Sequence, residues 1–198
     1  MRDKEDILII GCGAIAHEIN EIITLNKWTN VTLQCLKADL HNTPKKLPTI
    51  IKETIESHLE GYSKIFLAYA DCGTGGLIDS MLKNYDIERL DGAHCYEFYA
   101  GSKTFKEISN REIGTFYLTD FLVKNFERLV IDGLGISQHP QLRDEYFKNY
   151  KSVVYLAQKP NNDLELKAKA CADYLNLDFT IHYTGLENIE NQLNKAIK

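Results

Sequence analysis

Ile7-Leu8-Ile9-Ile10-Gly11-Cys12-Gly13-Ala14-Ile15-Ala16 decides the fold. Four apolar residues in succession read as a buried strand, and Gly11-Cys12-Gly13 closes it in a tight turn. From Ala14 to Leu25 the apolar period lengthens, with Ile15, Ile19, Ile22 and Ile23 on one helical face. A strand that runs straight into a helix is the first part of a strand–helix–strand unit. Val31-Thr32-Leu33-Gln34-Cys35 supplies the second strand.

The alternation continues outward from there. Thr49 to Leu59 reads as a helix, and Lys64 to Tyr69 as a third strand broken by Gly73-Thr74-Gly75-Gly76. Leu77 to Lys83 is a short helix, and Ile87 to Leu90 a fourth strand. Gly92 to Gly101 reads as a loop rich in aromatic and ionisable residues. Phe105 to Ile108 reads as a helical turn. Gly114 to Ile131, apolar at 118, 121, 122, 126, 129 and 130, reads as a helix, as does Leu142 to Tyr150. Ser152 to Leu156 is a fifth strand, followed by a helix that Asp163 caps and that runs to Leu175. Phe179 to Tyr183 is a sixth strand, and Leu186 to Ile197 a closing amphipathic helix. Strands separated by helices pair in parallel, because a parallel return needs a crossover. The expectation is a single α/β domain over residues 1–198. It is built on a doubly wound, mostly parallel sheet of five or six strands, with a helical insertion at about residues 100–150.

Composition narrows the function classes. The 23 basic and 28 acidic residues leave a net charge of −5, which argues against a general nucleic-acid binder. No stretch approaches the roughly 20 apolar residues of a membrane span. The start, Met1-Arg2-Asp3-Lys4-Glu5-Asp6, lacks the apolar region of a secretion signal, so a cytoplasmic setting is expected. Five cysteines are then read as metal ligands, catalytic thiols or core residues rather than as a disulfide framework.

In doubly wound sheets ligands bind outside the carboxyl ends of the strands. Cys12 follows the first strand, Cys35 ends the second with His41-Asn42 just beyond, Cys72 follows the third, and His94-Cys95 follow the fourth. Cys171 falls inside a helix with Ala168, Ala172 and Leu175 and reads as core. Thiolates and imidazoles suit zinc and other borderline or soft ions. The candidate metal ligands are Cys12, Cys35, Cys72, His94 and Cys95, with His41 as an alternative. Neighbouring side chains in an extended loop point apart, so His94 and Cys95 are not expected on the same ion. Zinc leads, with iron or cobalt as alternatives. Asp71 and Glu97 are the candidate acid–base groups.

Gly11-Cys12-Gly13-Ala14-Ile15-Ala16 also fits G-x-G-x-x-A after a strand, where bare backbone meets a pyrophosphate at a helix start. The carboxylate that would hold a ribose is missing, because Cys35 stands at the end of the second strand. Gly73-Thr74-Gly75-Gly76 offers a second amide cradle for an anion. Gly11, Gly13, Gly73, Thr74, Gly75 and Tyr96 are therefore candidate cofactor contacts, and a nucleotide- or phosphate-binding enzyme is the alternative to a metal-binding protein.

Tyr69-Ala70-Asp71-Cys72-Gly73-Thr74-Gly75-Gly76, Gly92-Ala93-His94-Cys95-Tyr96-Glu97-Phe98-Tyr99-Ala100-Gly101 and Gly114-Thr115-Phe116-Tyr117-Leu118-Thr119-Asp120-Phe121-Leu122 resemble the signature blocks of the bacterial and archaeal family catalogued as domain of unknown function 1638. Leu40-His41-Asn42 and Val154-Tyr155-Leu156-Ala157-Gln158 extend the resemblance. It implies an association with corrinoid-dependent methyltransferase systems. From that follow two further readings: an enzyme or accessory factor of methyl transfer, with a corrinoid contact, or a non-catalytic partner of a corrinoid protein. A corrinoid protein or a methyltransferase is the expected partner.

Overall fold

The computed structural model describes residues 6–197. The charged start read from Met1 to Glu5 lies outside them. In chain order the elements are β1 (Ile7–Cys12), α1 (Ala16–Leu25), β2 (Val31–Leu36), α2 (Leu47–Glu56), β3 (Lys64–Ala68), α3 (Leu77–Leu82), β4 (Glu88–Arg89), α4 (Cys95–Ala100), α5 (Ser102–Arg111), β5 (Thr115–Thr119), α6 (Asp120–Lys124), α7 (Gln141–Phe147), β6 (Ser152–Ala157), α8 (Asn162–Leu175), β7 (Asp178–Tyr183) and α9 (Glu187–Ile197). Contacts divide the chain into two compact units, residues 1–98 with 186–198, and residues 99–185. No helix among the described residues is long and apolar enough to cross a membrane.

The first unit carries a four-stranded parallel sheet in the order β2-β1-β3-β4. Every residue of β1 is buried, because strands flank it on both sides and helices cover it. That is why its sequence is a continuous apolar run. α1 turns Ile19 and Ile22 inward, and α2 turns Leu47, Ile51 and Ile55 inward at helical spacing. Gly11 pairs with Cys35 on one side and Ala68 on the other, so three strands end level with one another. From β1 the chain moves to one side for β2 and to the other for β3. The strand order thus reverses between β1 and β3, the kind of switch point beside which open α/β sheets bind their ligands.

The second unit carries a three-stranded parallel sheet in the order β5-β6-β7. Leu118, Val153, Tyr155 and Ala157 pack with Ala168, Cys171, Ala172 and Leu175 of α8. α8 is capped two residues earlier than expected: the Asn161 side chain, not Asp163, accepts the Leu164 N–H at 3.1 Å.

The expected parallel α/β architecture is observed, but the single sheet of five or six strands is not. Among the described residues seven strands form two sheets, and the difference arises at β5. Gly114 to Ile131 was read as one helix because its apolar residues from 118 onward keep helical spacing. Thr115, Phe116, Tyr117 and Thr119 are strand formers, and they pair with β6 from Thr115↔Ser152 to Thr119↔Leu156. The helical period starts only after Thr119, whose Oγ1 accepts the Leu122 N–H. The expected helical insertion at about 100–150 therefore also contains a strand, β5, among its helices. Gly92 to Gly101 also departs from the loop reading, since Cys95–Ala100 is helical.

Gly114 opens β5 where no side chain fits. A Cβ there would lie 2.5 Å from the Asn149 carbonyl oxygen, and the Gly114 carbonyl accepts the Lys151 N–H at 2.7 Å. Gly114→Ala is expected to lower stability by about 1–3 kcal/mol through this overlap. Urea denaturation followed by circular dichroism measures it; an unchanged midpoint would show that the backbone at 149–151 can yield.

Candidate metal centre

Four connections at the carboxyl edge of the first sheet bring the site together. β1 ends at Cys12, whose Sγ accepts the Ala14 N–H at 3.3 Å as the chain turns toward α1. After β2 a short 3-10 turn, Ala38–Asn42, carries His41 back over the edge. His41 Nδ1 lies 3.2 Å from the Ala38 carbonyl oxygen and 3.7 Å from Cys12 Sγ. β3 is followed by Tyr69, then by Asp71 and Cys72. β4 is followed by Cys95 at the first position of α4.

Two sets of hydrogen bonds hold Cys72. The Cys72 N–H donates to the Ala93 carbonyl at 3.0 Å and the Asp71 N–H to the Gly92 carbonyl at 3.1 Å, which ties this loop to the one before Cys95. The Asp71 carboxylate accepts the Thr74 hydroxyl at 2.8 Å and the N–H groups of Gly75 and Gly76 at 3.0 and 2.7 Å. Cys72 itself has φ +50°, a left-handed conformation that costs a residue with a Cβ about 1–2 kcal/mol. Asp71→Ala, which removes the acceptor of three donors, is expected to lower stability by about 1–3 kcal/mol. Chemical denaturation checks it, and Asp71→Asn should retain part of the loss because one amide oxygen still accepts.

His41, Cys72 and Cys95 offer ligand atoms that all lie within 4.8 Å of one another, the one such group of three or more among the described residues. Cys72 Sγ and Cys95 Sγ are 3.2 Å apart, and both cysteines are free. A tetrahedral zinc ion with bonds of about 2.3 Å to sulfur separates its donors by about 3.8 Å, so small shifts would accommodate one. Cys12 lies beside this group rather than in it.

The electrostatics bind the cluster together. Burial works against a proton on His41, but hydrogen bonds to the sulfurs of Cys12 and Cys95, and their charge, push its pKa up to about 10. Cys95 is held well below the ordinary thiol range, first by the Cys72 thiol that donates to it and, against burial, by His41. Cys72 is pushed up, by Cys95 first and by burial second. The electrostatics thus favour a proton on His41 and on Cys72 and its loss from Cys95. Tyr69 is fully buried below them, with its ring stacked on that of His41 at 6.5 Å. Burial, followed by the charge of Cys12, pushes its phenol far above the usual range, so it stays an O–H donor.

Of the residues singled out from sequence, Cys72 and Cys95 meet, and Cys12 stands next to them. His94 precedes α4, is exposed and is outside the group; His41, the alternative, takes the imidazole position. Cys35 pairs with Gly11 in β2 and is also outside, its thiol pushed up by burial and then by Cys12. Cys171 is buried in the core of the second unit. Burial raises the Asp71 carboxyl, but the hydrogen bonds from Gly76, Thr74 and Gly75 and the charge of Arg89 outweigh it and hold it below the usual range. A carboxylate so engaged is a weak base. Glu97 lies in α4 with its carboxyl against Gly92, whose φ of +96° and close approach suit glycine alone. Tyr96 lies in α4 as well. The Gly73–Gly76 cradle is filled from within, since the amides of Gly75 and Gly76 already serve Asp71. Gly11 and Gly13 permit packing: a Cβ would sit 3.4 Å from Leu33 and 3.1 Å from the Leu36 carbonyl oxygen, respectively. Tyr69 was missed, although its place directly after β3 was the available signal.

Fold and site together define a parallel α/β protein with a His/Cys group, at the carboxyl edge of one sheet, that could hold a metal ion. The chain belongs to the family described as protein of unknown function (DUF1638), whose model matches residues 35–193. That span includes His41, Cys72 and Cys95. No curated protein matches the chain.

Proposed function

We propose that the protein is a metal-binding protein, with zinc as the best-suited ion, held by His41, Cys72 and Cys95 as its reactive centre. The convergence of one imidazole and two free thiols within 4.8 Å carries this reading. Two sulfurs and one nitrogen suit zinc, with iron or cobalt next. Three protein ligands at the carboxyl edge of a sheet whose strand order reverses also match the pattern of reactive zinc sites rather than closed structural ones. Asp71 acts as the support that fixes the Cys72 loop. No feature of the described residues speaks for a corrinoid contact.

Elemental analysis of the full chain purified without oxygen tests the reading. One ion per chain is expected, and a wild-type chain with far less than one ion after zinc loading would overturn it. His41→Ala is expected to weaken zinc at least about tenfold, whereas His94→Ala leaves it unchanged. Competition against a chromophoric chelator measures both, and the reverse ranking would return the imidazole role to His94.

A further inference from the structure

On the reading just given, one coordination position remains to be assigned, and two buried groups, Cys12 and Tyr69, lie next to His41 of the cluster. Cys12 Sγ is 3.7 Å from His41 Nδ1, yet it is not among the donors that all lie within 4.8 Å of one another. It already accepts the Ala14 N–H, which draws charge from the sulfur and weakens it as a ligand. The Tyr69 hydroxyl is completely buried and makes no hydrogen bond of ordinary geometry. Cys12 is the sulfur that acts on it most strongly, ahead of Cys95 and Cys72. Among the described residues the hydroxyl's only nearby acceptor is thus the Cys12 sulfur, in poor geometry. A buried O–H that poorly paired costs about 1–3 kcal/mol, and a ligand that arrives with a better-placed lone pair recovers part of it.

We propose that Cys12 is an exchangeable fourth ligand, and that the external ligand which replaces it is a small thiol whose sulfur accepts the Tyr69 hydroxyl. The exchange is balanced without a redox partner. The bond from the metal to the Cys12 sulfur breaks and a bond to the incoming sulfur forms. The proton of the incoming thiol passes to Cys12, which leaves as a neutral thiol. The number of sulfur donors and the charge at the site are the same before and after. An alcohol or water in the same place would put a harder oxygen on a soft-ligand site and lose that equivalence. The ligand must be small, because Tyr69 and Cys72 are buried, and it enters beside His41, which is exposed.

The test uses the full chain loaded with Co²⁺ under anaerobic conditions, ethanethiol as the probe, and the absorption from thiolate-to-cobalt charge transfer. Wild type and Cys12→Ala are both expected to bind one Co²⁺. Cys12→Ala loses about a third of the charge-transfer intensity, as three thiolates become two, and ethanethiol restores it saturably while ethanol does not. In the wild type ethanethiol shifts the band through an isosbestic point without loss of intensity. Adding Tyr69→Phe to Cys12→Ala weakens ethanethiol about five- to tenfold while cobalt stays bound, a readout that a purely structural tyrosine would not move. Circular dichroism monitors folding, and Cys12→Ser replaces Cys12→Ala if the alanine variant is unfolded. Loss of cobalt from the folded Cys12 variant alone would make Cys12 a permanent ligand and overturn the inference. Retained cobalt with no response to ethanethiol would overturn it too. A wild type that binds no cobalt or zinc would instead remove the metal reading itself.

Discussion

Replacing Cys72 and Cys95 together by serine is expected to reduce bound metal from one ion per chain to a trace, with an affinity loss of more than about 100-fold. The hydroxyl of serine stays protonated where a thiol ionises, and its hard oxygen matches a borderline ion poorly. The geometry makes the pair indispensable: the two sulfurs are 3.2 Å apart and supply two of the three clustered donors. Their loss also removes Cys95, one of the two sulfurs, with Cys12, that hold a proton on His41. Metal that binds only the folded chain stabilises it by about 4 kcal/mol at a free concentration of 1,000 times its dissociation constant. Thermal melts with and without zinc should therefore show a large upward shift for the wild type and none for the double variant. Equal shifts for the two proteins would place the ion elsewhere.

Ile9→Ala is expected to cost about 2–5 kcal/mol, the largest effect on stability among the changes considered, whereas Ile9→Val costs about 0.5–1.5 kcal/mol. Ile9 is completely buried in the central strand β1, aligned with Leu33 of β2 and Phe66 of β3. A cavity there is walled by strands on two sides, and hydrogen-bonded strands cannot close on it. The first unit has its own sheet, and the second packs a separate core around Leu118 and Tyr155. Hydrogen exchange should thus show the greater loss of protection in β1, β2 and β3, with a smaller loss in β5, β6 and β7. A uniform loss across both sheets would show that the two units open together.

Much of the fold was legible because the interior of a parallel sheet leaves a plain trace in sequence. β1 and β6 are buried along nearly their whole length, so they appear as unbroken apolar runs. β5 was hidden because Leu118, inside the strand, happens to extend the helical spacing of Phe121 and Leu122. Only its pairing with β6 separates strand from helix there. Whether seven strands make one sheet or two is likewise a matter of hydrogen bonds between distant segments, on which local pattern is silent.

For the candidate site, the sequence alone pointed to the carboxyl strand ends and to a Cys/His group. Parallel strands bring the ends that carry Cys12, Cys35, Cys72 and Cys95 to one edge, and thiolates select a narrow class of ions. Cys72 and Cys95 meet there, Cys12 lies beside them and Cys35 stays outside. Only the tertiary structure decided which imidazole joins them. His94 is adjacent to Cys95 in the chain, but the helix starting at Cys95 and the turn before it leave His94 exposed and outside the group. His41, 31 residues before Cys72 and 54 before Cys95 by their numbering, is carried in by the 3-10 turn after β2. The physical reason is that ligand geometry depends on angstrom-scale loop paths. Those paths are set by the hydrogen bonds of Asp71, Gly92 and Ala93, not by proximity along the chain.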